Sequence, residues 1–173
     1  MRLYEEVARD AGDDAILLRF LERRASRPDV TLPQVREGVE RARALEEEER
    51  LDALLVRAAQ VAAASEEGPA AARAIFVELA ERRNAAGDLP KAIEYAKQGA
   101  ETARDDEERR QLELELAAFA AQPGGDLELA GEIFERYFAE DAMDADLWRP
   151  LLEVTRLRGD GDRLSDLVAS LVD

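Results

Sequence analysis

The chain of 173 residues contains no cysteine and no histidine. Those two absences remove disulfides, thiolate and imidazole metal sites, thiol nucleophiles and every catalytic arrangement that runs through an imidazole. Aromatic residues make up 5%, too thin a supply for a surface that stacks bases. Basic residues are in the minority: 24 Lys and Arg stand against 40 Asp and Glu, a formal net charge of −16. Nucleic acid is therefore not an expected partner, because its binding relies on neutralising phosphates. No apolar run approaches the roughly 20 residues that a bilayer requires, so no membrane partner is expected either. The start, Met1-Arg2-Leu3-Tyr4-Glu5-Glu6, lacks the apolar stretch of a secretory signal. With the missing cysteines, this makes the cytoplasm the expected compartment.

What the sequence does have is helix period. Ala, Leu, Glu and Arg dominate, all strong helix formers, and strand-like alternation is missing. Ten helical segments are predicted near residues 2–10, 14–26, 32–46, 49–65, 69–86, 89–103, 106–121, 126–140, 145–158 and 161–172. The breaks between them have a chemistry. Arg27-Pro28-Asp29 stops the second segment, and Thr31-Leu32-Pro33-Gln34 reads as a capping box. In Gly87-Asp88, Gly125-Asp126 and Gly159-Asp160 the glycine can close one helix in the left-handed conformation while the aspartate caps the next. Links of about two to six residues force antiparallel neighbours, so the chain reads as successive helical hairpins.

Burial follows from spacing. Leu164, Leu167, Val168, Leu171 and Val172 make a single apolar stripe on the last segment, with Arg163, Ser165, Asp166 and Ser170 on its other side. One polar face suits a helix that caps the end of a stack. In the second segment Ile16, Leu17, Leu18, Phe20 and Leu21 are almost continuous, which predicts deeper burial.

Three windows of the second half share a frame. Phe76-x-x-Leu79-Ala80 leads to Gly87-Asp88 and then Ala92. Leu114-x-x-Ala117-Ala118 leads to Gly125-Asp126 and then Ala130. Trp148-x-x-Leu151-Leu152 leads to Gly159-Asp160 and then Leu164. The large apolar residue precedes its glycine by 11 residues each time, and the glycines lie 38 and 34 residues apart. This pattern resembles the tetratricopeptide repeat (TPR) family, whose unit of 34 residues carries W-x-x-L-G in its first helix, a turn, and small residues where the second helix packs. Trp148-x-x-Leu151 and Gly87-Asp88-Leu89-Pro90-Lys91-Ala92 carry the likeness best. At the usual second-helix aromatic stand Ala96, Phe134 and Val168, so the first and third windows depart there; Leu164 for a small residue and no closing proline are the other departures.

The resemblance implies an all-α, right-handed solenoid of about ten helices, stacked as antiparallel hairpins in one domain over 1–173. Residues 1–68 are degenerate hairpins, 69–173 are clearer repeats, and helix 161–172 is the cap. Ala80, Ala92, Gly99, Ala118 and Ala130 would let helices approach closely.

Candidate chemistry is sparse. Glu113 with Glu115, or Asp144 with Asp146, are acid–base spacings, but nothing around them signals desolvation. Asp141-x-x-Asp144-x-Asp146 and Asp160-Gly161-Asp162 do not fit the calcium loop D-x-[DN]-x-[DN]-G-x5-E and read as helix caps. Glu46-Glu47-Glu48-Glu49 reads as an exposed turn running into a helix start. Gly124-Gly125 lacks the context of a phosphate loop, and Trp148 reads as core. No catalytic residue, metal or cofactor is expected.

The resemblance places the first helix of each hairpin on an inner face. By the repeat frame that face carries Val77, Glu81 and Asn84, then Glu115, Phe119 and Gln122, then Arg149, Glu153 and Arg156. Residues 1–86 carry a net charge of −4 and residues 87–173 a net charge of −12, which can steer a basic ligand. The expected function is a non-enzymatic scaffold or adaptor that binds a protein or peptide of basic character on that concave face. A regulatory or sensor segment of a larger signalling or transcription protein is the alternative. So is a self-associating module, since the apolar ends of a short stack can pair into a homo-oligomer.

Overall fold

The computed structural model describes residues 12–65, 68–140 and 144–170. Among these are nine helices and no strand: α1 (Asp14–Ala25), α2 (Leu32–Ala44), α3 (Glu48–Ala63), α4 (Gly68–Ala85), α5 (Leu89–Glu101), α6 (Asp106–Ala120), α7 (Leu127–Glu140), α8 (Ala145–Arg158) and α9 (Gly161–Ser170). They match nine predicted segments within three residues at each end. The tenth, 2–10, lies outside the described residues. The chain divides into two compact units, Met1–Leu79 and Ala80–Asp173.

Except for Asp13, the caps named here are made by residues the sequence singled out. Asp13, Asp88, Asp126, Asp144 and Asp160 each accept a backbone N–H of the helix they open, at 3.0, 3.4, 3.0, 2.9 and 3.1 Å. Each bond satisfies a donor that the helix leaves free. Gln34 Oε1 accepts the Thr31 N–H at 3.1 Å, the glutamine half of the capping box. Gly87 and Gly159 have φ of 75° and 74°. The Gly87 N–H donates to the Asn84 carbonyl and the Asp88 N–H to Arg83, at 2.9 Å each. Gly159 and Asp160 repeat this with Arg156 and Thr155. These paired bonds are the Schellman closure of a helix.

The same closure occurs where no glycine announces it. Glu46 has φ 55°. Its N–H donates to Arg43 at 3.2 Å, and the Glu47 N–H donates to Ala42 at 3.0 Å. The hairpin α2–α3 thus turns on Glu46-Glu47 where others use Gly-Asp.

In the second window the left-handed residue is Gly124, φ 87°, not Gly125. Gly125 is needed for another reason: a Cβ there would lie 2.4 Å from the Ala120 carbonyl oxygen. The repeat register of that window therefore shifts by one residue. The shift explains why Ala118 is exposed, against expectation, while Ala117 is fully buried. With it, the residue eight before each left-handed turn is buried in all four hairpins: Gly38, Leu79, Leu116 and Leu151.

In the first unit α1, α2 and α3 pack on one another. Leu17, Leu18, Leu21, Val35, Val39, Leu51, Leu54 and Leu55 are buried there. Ile16 departs from the predicted run, being 43% exposed, because it faces away from α2 and α3. Gly38 lies where α2 is packed tightly against α1 and α3. A Cβ on it would meet Leu54 Cδ2 at 3.3 Å and Leu21 Cβ at 3.5 Å. Arg57 of α3 closes the end of α1, donating to the Ala25 carbonyl at 2.9 Å and the Arg27 carbonyl at 3.0 Å.

In the second unit α5, α6, α7, α8 and α9 pack in chain order, each on the next. One core runs through them and includes Ala80, Ala96, Leu116, Ala117, Ala130, Phe134, Leu147, Leu151 and Leu167. Gly131 lets α7 approach α8: a Cβ there would lie 2.5 Å from Arg158 Nη1. Pro150 sits inside α8, without the N–H that would have reached the Asp146 carbonyl. On α9, Leu167 is buried and Leu164 half-buried, but Val168 is 48% exposed. The described stripe is thus narrower than predicted. Leu171 and Val172 fall outside the described residues.

Two substitutions test this packing in opposite directions. Glu46→Gly removes the cost of an L-residue in the left-handed region and should raise stability by about 1 kcal/mol. Gly38→Val forces a branched side chain against Leu54 and Leu21 and should cost about 1–3 kcal/mol. Urea unfolding followed at 222 nm reads both.

Candidate partner-binding surface

Of the nine residues predicted to line an inner face, eight fall on α4, α6 and α8, and Gln122 lies in the turn after α6. Val77 lies in the first unit and is half-buried; the other eight lie in the second. Glu81, Glu115, Arg149, Glu153 and Arg156 are exposed, and Asn84, Phe119 and Gln122 are half-buried. On α8 the stripe runs on the side away from the buried residues; on α4 and α6 it runs along their edge, which leaves Val77, Asn84 and Phe119 half-buried. On α6 the buried side is Leu116, Ala117 and Ala120; on α8 it is Leu147, Leu151, Val154 and Thr155.

The charges along these stripes are partly spent within the chain. Arg156 donates to Glu153 through Nη2 at 2.6 Å and Nε at 3.1 Å. These bonds hold the Glu153 carboxyl below its usual range. Gln111 donates to Glu115 at 3.3 Å. The Arg149 guanidinium lies 5.3 Å from the centre of the Trp148 ring. Trp148 itself is half-buried and packs on the core, as does Phe119. Asn84 Oδ1 is buried with no hydrogen-bond partner. The register shift also bears on this face. Counted from Gly124, the stripe of the second repeat passes through Leu114, Ala118 and Ala121, beside Glu115, Phe119 and Gln122.

A second group of side chains meets between α6, α7 and the start of α8; the sequence offered two of its members, Glu113 and Asp144, only as acid–base candidates. Glu113 of α6 accepts hydrogen bonds from Arg136 and from the Tyr137 hydroxyl, both on α7. Arg110 donates to Asp144 Oδ2 at 3.1 Å. The guanidinium groups of Arg110 and Arg136 lie 5.5 and 5.0 Å from the centre of the Tyr137 ring. Cations over a ring face are attracted by its quadrupole. Burial, and then the Glu113 hydrogen bond, push the Tyr137 phenol up to about 12. In the shifted register Glu113 occupies the place held by Val35, Phe76 and Trp148 in the other hairpins. No sequence signal pointed to this cluster: counted from Gly125 the place belongs to Leu114, and only the left-handed Gly124 moves it to Glu113.

The carboxylate pairs considered for acid–base work have structural employment. Glu113 holds Arg136 and Tyr137, and Asp144 caps α8 while pairing with Arg110. Asp160 caps α9, and Asp162 lies in its first turn. Among the described residues no group of three acidic side chains is placed to hold a metal ion. No helix among them is long and apolar enough to cross a membrane.

No protein-family model matches the chain, and no curated protein matches it. Solved structures do. A crystal structure of nearly identical TPR-like repeats from a candidate kinesin light chain of Podosopora anserina is similar over 97% of this chain and 91% of that one. Its TM-score is 0.54 at 21% identity. A single-substitution variant of the same protein gives 98%, 91%, 0.53 and 21%. The chain therefore has an all-α, TPR-like helical-repeat fold.

The Tyr137 environment makes a titration prediction. The folded state favours the neutral phenol, so this contribution to stability is complete below the unfolded value of about 10. It is lost as pH rises through about 12. Tyrosinate absorbance at 295 nm should show one ionisation near pH 12 that is missing in Tyr137→Phe, and the variant should lose less stability across that window.

Proposed function

We propose that this chain is a non-enzymatic scaffold that binds a segment of a partner protein along the first helices of its second-unit hairpins. The observation that carries the reading is the TPR-like fold itself, combined with the exposed carboxylates that the stripes of α4, α6 and α8 present. Each hairpin commits one side of its first helix to the core and leaves Glu81, Glu115 and Glu153 outside it. A face held by packed helices is ordered before its partner arrives, which spares part of the ordering cost of association. Arg149, Arg156, Asn84 and Gln122 supply polar contacts on the same stripes, and Phe119 offers a half-buried ring for an apolar anchor. The net charge of −16 suits a partner segment of basic character. On this reading residues 1–173 act as one module, with α9 in its cap.

The test uses the full chain as bait against an extract of its source cell at increasing salt, with the captured protein identified and its binding segment mapped. Reversing Glu81, Glu115 and Glu153 together to Lys should weaken that capture about tenfold and leave helicity at 222 nm unchanged. Equal capture by the folded triple variant refutes the assignment of this face.

A further inference from the structure

Two adjoining cavities open on a different side of α6 from the stripe above. One, of about 340 Å³, lies between α5, α6 and α7 and has an apolar floor of Ala100, Leu116, Leu129 and Ile133. The other, of about 430 Å³, continues along α6 and α7 over Tyr137. Arg109, Glu113 and Arg136 line both, so together they form one groove within the second unit.

The charges of this groove do not cancel. Each of its three arginines is tied to a carboxylate: Arg109 to Asp106 at 3.1 Å, Arg110 to Asp144 at 3.1 Å, and Arg136 to Glu113. Four more carboxylates line the groove: Glu101 and Glu132 beside the apolar floor, and Glu107 and Glu140 at the Tyr137 end. All four are exposed, and among the described residues none has a hydrogen bond or ion pair. Lys97 is the one lining cation likewise without a carboxylate. What is left is an apolar floor rimmed by an excess of uncompensated negative charge.

We propose that this groove docks a basic segment of a partner protein, an apolar side chain entering over Leu129 and Ile133 with arginine or lysine on either side of it. Arginine suits the rim, since its planar fork pairs with carboxylates while its stem covers apolar surface. The surface is separate from the one proposed above, and either can stand without the other.

The test selects random dodecapeptides displayed on phage against the full chain, then measures the selected peptides by fluorescence anisotropy at 50 and 300 mM salt. Sequences with leucine, isoleucine or phenylalanine beside arginine or lysine should be enriched. Their binding should weaken about fivefold or more with the Glu101→Lys, Glu132→Lys variant and at the higher salt. It should be unmoved by the Glu81, Glu115 and Glu153 reversals. Circular dichroism checks that both variants are folded, and Leu129→Ala should weaken binding without changing the salt dependence. Enrichment of acidic sequences, no enrichment, or binding lost only on reversing Glu81, Glu115 and Glu153 overturns the proposal. A second copy of the chain as occupant would appear as a dimer in sedimentation equilibrium that the Glu101, Glu132 variant dissociates, and that result also overturns it.

Discussion

A helix can reverse into an antiparallel neighbour within three residues only if one of them takes a left-handed backbone and the next helix finds a cap at once. Three links among the described residues, α2–α3, α4–α5 and α8–α9, are built on that requirement. Gly87 and Gly159 meet it at no steric cost, and Asp88 and Asp160 cap the helices that come next. Glu46 meets it at a cost, held by the two carbonyls of Arg43 and Ala42. Because each turn fixes where the first helix ends, it also fixes which residue faces inward eight positions earlier. The core is in that sense indexed from the turns.

Where the indexing meets a charged residue, the structure supplies partners from outside the helix. Glu113 stands at the position that holds Val35, Phe76 or Trp148 in the other hairpins. An uncompensated carboxylate in a partly covered site is costly. Arg136 and Tyr137 answer it, and Tyr137 is in turn flanked by two guanidinium groups. One departure from the repeat thus organises a polar knot that reaches from α6 through α7 to the cap of α8.

The helices were legible because their ends are written in strong local signals: Pro33, Pro69 and Pro90 near the starts, Gly-Asp pairs at the reversals, aspartates at the caps. Two kinds of information were not. The register of the second repeat was ambiguous because Gly124 and Gly125 are adjacent, and only the backbone angles decide which one turns left. The repeat in the first half was hidden because Glu46 replaces the expected glycine. Burial failed at Ile16 and Val168 because periodicity names a stripe but not how wide a neighbour covers it. The proposed inner stripes were carried over from the TPR resemblance through the repeat frame. The groove did not. Its ion pairs join Arg136 to Glu113, 23 residues apart in sequence, and Arg110 to Asp144, 34 apart, and no local pattern encodes them.

Trp148 is the single tryptophan of the chain. It sits half-buried against the core of the second unit, with the Arg149 guanidinium over its ring. Its fluorescence therefore speaks for one half of the molecule only. Emission will follow the loosening of that half, whereas the amide signal sums over every helix, so any lag between the two separates the melting of the halves without a label.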